Sequence, residues 1–284
     1  MKRTVFFVAF SCLYSILTWG QTEKNDSVPQ NRFVNRATMY GIGLTKILDS
    51  YLSPSEYKGM ELRFLRENIR MTNIMDGKVS SQTIFQAHAA YTKNDADTGN
   101  EISTLFSWSY ALHYHFHLSP NFKILAGPYG QANGGFIYNT RNSNNPAQGK
   151  AYINLGASAM AIYNFHINKK PLLLRYQLNI PLAGIMFSPE YQQSYYEIFT
   201  QGNWKHVIQL TSLHNQPSAF QMLTLDVPML SSTMRFSYIL DIHQSHVNQI
   251  KCHTYSHSFM IGLVKNILII KNKDKQISRS PLLY

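Results

Sequence analysis

The 284-residue chain is poor in cysteine, tryptophan and acid: two Cys, three Trp, and 15 Asp and Glu against 26 Lys and Arg. With only Cys12 and Cys252, a disulfide framework and a cysteine-rich metal cluster are both excluded. No apolar run reaches the roughly 20 residues that a membrane-spanning helix requires. There is no phosphate-cradling glycine loop and no repeat beyond one short Ser-Pro echo, which argues against nucleotide-binding and solenoid designs. Whatever fold forms must hold without a disulfide.

The first residues read as an export leader. Lys2 and Arg3 are followed by an apolar stretch from Thr4 to Leu17 and by Thr18-Trp19-Gly20, a small-x-small cleavage signal ahead of Gln21. Phe10 and Ser11 match a lipoprotein signal poorly, so Cys12 is not expected to carry lipid. Loss of the leader leaves Cys252 alone. The net charge of +11 ordinarily suggests nucleic acid. Export removes that partner, and the basic residues are dispersed except for Lys265, Lys271, Lys273, Lys275 and Arg279 near the end. That set suits a solvated tail or attraction to anionic head groups and lipopolysaccharide.

What the chain does have is period-two alternation. Between 102 and 118, Ile102, Thr104, Phe106, Trp108, Tyr110, Leu112, Tyr114, Phe116 and Leu118 fall on one face of a strand. Ser103, Leu105, Ser107, Ser109, Ala111, His113, His115 and His117 fall on the other. Such a strand is far longer than the usual 5–6 residues. Similar segments are predicted at 38–45, 58–72, 79–91, 122–137, 151–167, 172–186, 204–214, 219–227, 234–242 and 250–263, with a fragment at 267–270. A phase slip near Leu65 to Glu67 predicts a β-bulge. Gly127, Gly130, Gly134 and Gly135 predict a tightly curved wall.

The connections alternate in length. Long ones at 46–57, 92–100, 139–150 and 188–203 are separated by short turns at 73–78, 119–121, 168–171 and 214–217. An apolar outer face, a polar inner face and this alternation together predict an all-β, antiparallel, up-and-down transmembrane β-barrel with short loop helices. Its strand number is about 12, with 10 as the other count. The expected layout is a cleaved signal peptide over 1–20, a periplasmic lead-in over 21–35, the barrel over 36–271 and a basic tail over 272–284. The expected location is the outer membrane of a Gram-negative bacterium.

Tyr40-Gly41-Ile42-Gly43, the run from Leu48 to Tyr57, and Glu61-Leu62-Arg63 to Arg66-Glu67 resemble an uncharacterised Bacteroidetes family of exported proteins, a domain of unknown function. Phe187-Ser188-Pro189-Glu190-Tyr191, Ser194 to Phe199, and His257-Ser258-Phe259-Met260 are similar as well. The resemblance covers most of the mature chain. It implies outer-membrane location and barrel architecture, and brings no catalytic residues.

Four constellations could carry chemistry. Ser53, Pro54, Glu56 and Tyr57 are echoed by Ser188, Pro189, Glu190 and Tyr191. Both sets have the makings of a helix start and would fold over the external mouth. His113, His115 and His117 line one face, with His88 on the preceding strand, as a zinc site would need; ordinary hydrogen bonding in a polar lumen is the simpler expectation. His243 and Ser245 have the spacing of a strand-borne hydrolase pair. They share the inward face, whereas a lipid-cleaving site should face lipid. Glu61, Arg63, Glu67, Arg175, Asp226, Arg235 and Asp241 supply both signs of charge to the lumen, as an ion-pair network or a solute filter. At this strand number the lumen is expected to be mostly filled.

The expected function is therefore a monomeric outer-membrane barrel without enzymatic activity or cofactor, acting as a small channel or a surface-interaction or structural protein. Its partners would be outer-membrane lipid, lipopolysaccharide, and a small solute or surface protein. One alternative is an envelope-lipid hydrolase or deacylase using His243 and Ser245. Another is a soluble periplasmic lipid-binding barrel, which would be apolar inside.

Overall fold

The computed structural model describes residues 32–168, 170–229 and 232–269. The expected leader, most of the lead-in and the tail lie outside the described residues. Eleven strands follow in order: β1 (Arg32–Asp49), β2 (Tyr57–Met71), β3 (Val79–Asn94), β4 (Asn100–His117), β5 (Phe122–Asn139), β6 (Ala147–Ile167), β7 (Lys170–Phe187), β8 (Ile208–Ser212), β9 (Ala219–Met229), β10 (Ser232–Val247) and β11 (Ile250–Ile269). One short helix, α1 (Tyr195–Phe199), interrupts the connection between β7 and β8.

Neighbouring strands pair antiparallel, and β1 pairs with β11 from Arg32↔Ile269 to Asp49↔Cys252, which closes the sheet. Strands β8 and β9 both run antiparallel to β7, β8 against Ala183–Phe187 and β9 against Leu173–Asn179. They lie end to end in one wall. The segment from His214 to Pro217 is therefore an excursion from that wall and not a hairpin turn, and residues 267–269 continue β11. The barrel is a closed ring of ten strands with one extra strand, so ten replaces twelve. Among the described residues no strand edge runs the full height of the barrel.

The faces are inverted relative to a soluble protein. Leu62 (66% exposed), Leu155 (66%), Phe259 (69%), Trp108 and Phe106 point outward, while Arg175 and Arg235 are fully buried. A soluble lipid-binding barrel would show the opposite arrangement. The predicted bulge in β2 does not form: its register with β1 and with β3 is unbroken. Leu65 turns inward with Glu61, Arg63 and Glu67 because the interior contains an apolar cluster at that height. The irregularity falls instead between Leu155 and Gly156 on β6.

The curvature expected of β5 is localised. A Cβ at Gly127 would run into the Leu112 carbonyl, and one at Gly135 into the Thr104 carbonyl, whereas Gly134 has open space. Both termini of the described barrel and the tight β2–β3 and β4–β5 connections share one end. The longer loops share the other with the two-residue β10–β11 turn, where Asn248 and Gln249 both have positive φ (52° and 63°) as a type I′ hairpin requires.

Candidate functional site

The loop end is roofed by side chains from four segments. Tyr51 and Leu52 pack with Ile47, Ile137 and Ile250, and Tyr195 of α1 lies against them. The Tyr51 hydroxyl donates to the Gln193 carbonyl at 2.8 Å, and Asn142 Nδ2 donates to the Leu52 carbonyl at 3.0 Å. Burial pushes the hydroxyl pKa values of Tyr51 and Tyr195 above the ordinary tyrosine value, so both stay neutral donors and acceptors. Asn248 Nδ2 ties down the longest loop through the Ser188 and His206 carbonyls at 2.7 and 2.8 Å.

The echoed motifs lie in this roof, but neither starts a helix. Ser53 Oγ accepts the Ser55 N–H at 3.2 Å in a turn, and the chain continues through Pro54 to β2. Glu56 meets His253 Nε2 at 3.1 Å and Lys58 Nζ at 3.7 Å. Tyr57 opens β2, its buried hydroxyl accepting from Asn139 Nδ2 at 3.0 Å. Ser188 and Pro189 are buried, the Glu190 N–H donates to Gln193 Oε1 at 3.0 Å, and Tyr191 is exposed. The helix cap sits a few residues later: Ser194 and Glu197 form a reciprocal capping box for α1. A hydroxyl with an acid three residues on is the sequence signal for this cap, and the Ser-Pro copies lack a helix behind them.

Beneath the roof lies a cavity of about 60 Å³, bordered by Arg63, Gln86, His88, Asn133, Tyr152 and His243 among others. That is room for roughly four water molecules. Lys150 Nζ beside it donates to Asp49 Oδ2 at 2.5 Å and to Cys252 Sγ at 3.0 Å. Arg63 donates to Glu61 at 3.0 Å, Asp241 at 2.9 Å, Gln86 at 3.2 Å and Ser256 at 3.0 Å. Asp49 and Lys150 fall in the 46–57 and 139–150 stretches expected to be loops, but the structure places them on β1 and β6. Both strands run further toward the mouth than predicted, and parity continued past Ile47 and before Tyr152 would have found them.

His243 faces this cavity, stacked on Tyr152 at 4.5 Å and 19°. Its Nδ1 lies 3.0 Å from Ser218 Oγ, so its hydroxyl neighbour is Ser218 in the wall excursion and not Ser245. Ser245 stands opposite Cys252. Ser218 Oγ also accepts the Gln244 N–H at 3.2 Å, and the Asn215 carbonyl accepts the His246 N–H at 2.8 Å. The excursion thus stands in for the strand that β10 lacks above Ile242. Both His243 and Ser245 point away from the outer apolar face, where a lipid substrate would lie. No local sequence signal marked Ser218, because the break in the wall is a property of pairing.

Below the cavity, Met39, Leu65, Ile84, Phe220, Met222, Ile239 and Met260 form a buried apolar cluster on the side of the lumen made by β9, β10, β11, β1, β2 and β3. Beside that cluster Glu67 accepts from Arg175 Nη2 at 2.9 Å, from Arg235 Nη1 and from Gln82 Nε2 at 2.5 Å. Arg235 also grips Asp226 bidentately at 2.6 and 2.7 Å. Gln82 and Gln177 exchange amide hydrogen bonds at 2.9 Å, and Asn179 leads on to Ser158 at 2.7 Å and so to His113 Nε2 at 2.7 Å. The seven predicted lumen charges all face inward but split into two clusters, Glu61–Arg63–Asp241 nearer the mouth and Glu67–Arg175–Arg235–Asp226 nearer the turn end.

The histidines do not converge. His113 bonds Ser158, His115 Nε2 approaches Ser80 Oγ at 2.8 Å, His117 is exposed at the turn end, and His88 pairs across from Leu105 near Arg63. Among the described residues no three His, Cys, Asp or Glu side chains are grouped to hold a metal ion.

No curated protein sequence matches the chain. Among solved structures, the outer membrane protease OmpT from Escherichia coli is similar at 8% identity and a TM-score of 0.46, with 87% of this chain and 100% of that one covered. An outer membrane channel from Pseudomonas putida F1 is similar at 9% identity and a TM-score of 0.39, covering 87% and 100%. The translocator domain of the autotransporter NalP from Neisseria meningitidis is similar at 9% identity and a TM-score of 0.38, covering 93% and 97%. The family model described as a protein of unknown function, DUF3316, matches residues 6–274, and the chain belongs to that family.

Proposed function

We propose that the protein is an outer-membrane β-barrel that stands closed, works through its roofed mouth as a surface-interaction or structural protein, and conducts no solute. The outward belt of Leu62, Phe106, Trp108, Leu155 and Phe259 supports membrane insertion, since water would penalise so much exposed apolar surface. The short-turn end, with both chain ends of the barrel, faces the periplasm in this reading, and the roof faces outward.

One observation carries the closed state. The lumen is bridged by the buried Glu67–Arg175–Arg235–Asp226 network and the Gln82–Gln177 amide pair, which tie β2 and β3 to β7 across the barrel beside a buried apolar cluster. Opening a pore would strip those charges of partners in a low-dielectric interior, at a cost of several kcal/mol for each broken pair. Cell fractionation tests the location: the protein should appear with the outer membrane and run faster on gels unheated than boiled. Liposome swelling tests closure: proteoliposomes should admit small sugars no faster than empty vesicles. Recovery from the soluble periplasm, or rapid swelling, would overturn the proposal.

A further inference from the structure

On the outer wall near the turn end, four cations gather across three adjacent strands. Arg36 on β1 lies directly opposite Lys265 on β11 and Asn68 on β2, and its Nε donates to Asn68 Oδ1 at 2.9 Å. Arg66 and Arg70 flank Asn68 two residues to either side, on the same face and about 7 Å from it along the strand. Arg70 Nε donates to Ser81 Oγ at 3.2 Å. Arg66, Arg70 and Lys265 are exposed. Among the described residues none of the four has a carboxylate at ion-pair distance.

Acidic residues are absent from this wall for a general reason. Every described Asp and Glu either faces the lumen, as Asp49, Glu61, Glu67, Glu101, Asp226 and Asp241 do, or lies in a loop, turn or α1. Away from the mouth, where Lys58 and Lys93 meet loop carboxylates, the described outer wall around this patch therefore presents uncompensated positive charge.

Immediately above the cations the surface changes character. Tyr40 and Ile261, themselves opposite one another, stand four residues up β1 and down β11 from Arg36 and Lys265. They border an outward apolar groove of about 790 Å³ that continues past Phe236, Leu225 and Phe259. Beside it Tyr40, Phe64 and Phe85 form an aromatic ladder with ring centroids 5.3 and 6.3 Å apart. A cationic patch below an apolar slot has the shape and polarity of one amphiphile with an anionic head.

We infer that this wall binds an anionic glycerophospholipid of the periplasm-facing leaflet. Its phosphate lies among Arg36, Arg66, Arg70 and Lys265, and one acyl chain fills the groove above. The inference rests on the outer-membrane reading for its orientation. Four guanidinium and ammonium groups match phosphate oxygens, and each cation near a membrane surface contributes about 1 kcal/mol, or about fivefold in affinity.

Native mass spectrometry of the full-length barrel in mild detergent, titrated with phosphatidylglycerol and with phosphatidylcholine of the same chains, tests this. The wild type should retain phosphatidylglycerol preferentially. Arg66→Gln should weaken retention about fivefold, and the combined Arg36→Gln, Arg66→Gln, Arg70→Gln and Lys265→Gln variant should show no preference. Lys46→Gln with Lys251→Gln, at the mouth end, should bind as the wild type does. Equal retention of the two lipids, an unchanged preference in the combined variant, or a loss confined to the mouth variant would overturn the assignment. If the combined variant fails to fold, as heat-modified gel mobility reveals, Arg66→Gln alone decides. Insertion into vesicles is read separately, so a barrel that inserts yet shows no lipid preference defeats this inference and leaves the outer-membrane reading standing.

Discussion

Replacing Glu67 with Gln tests the buried network most severely. The Glu67 carboxylate is fully buried and holds Arg175 at 2.9 Å, Arg235 and Gln82. With Glu67 and Asp226 facing Arg175 and Arg235, the layer is neutral; with Gln at 67 it carries one unbalanced positive charge. Arg235 keeps its bidentate grip on Asp226, so the loss falls on Arg175, whose Nε and Nη1 already lack hydrogen-bond partners among the described residues. Breaking a buried pair from one side costs about 3–5 kcal/mol, and that is the destabilisation expected. Removing both partners is different. Glu67→Leu combined with Arg175→Leu leaves the Arg235–Asp226 pair intact, and replacing a whole buried pair by apolar groups is often neutral. The double variant should therefore recover most of the loss. Urea unfolding in lipid vesicles, followed by tryptophan fluorescence, measures both. A Glu67→Gln cost below about 1 kcal/mol, or a double variant no more stable than the single one, would refute the reasoning.

Two further predictions concern the walls. Gly135→Ala should destabilise by about 1–3 kcal/mol, because the added methyl meets the Thr104 carbonyl, while its neighbour Gly134→Ala should be nearly silent in the same unfolding assay. Ser218→Ala takes the acceptor from the Gln244 N–H, at about 1 kcal/mol, and should speed hydrogen exchange at the Gln244 and His246 amides while leaving Ile239 protected.

The barrel was legible because its signal is periodic and redundant. Along β4 the outward set of Ile102, Phe106, Trp108 and Phe116 and the inward set containing His113 fall where alternation places them. The same parity put all seven lumen charges inside. Strand number was not legible, since β8 and β9 look like two strands of a hairpin until their shared partner β7 is known. Leu65 looked out of phase because an apolar residue was expected to face outward. The lumen has its own apolar cluster, which no single-strand pattern reveals. Partnerships across the barrel were the least accessible. Arg63 meets Asp241 and Arg235 meets Glu67 at sequence separations of 178 and 168, and nothing local encodes which carboxylate faces which guanidinium.

The closed lumen is the centre of the account, and planar-bilayer recording of the purified, refolded protein tests it most directly. With the Glu67 network and the Gln82–Gln177 pair bridging the lumen, incorporated protein should give no sustained single-channel steps at any polarity. Reproducible steps of uniform size from the wild-type protein would contradict it.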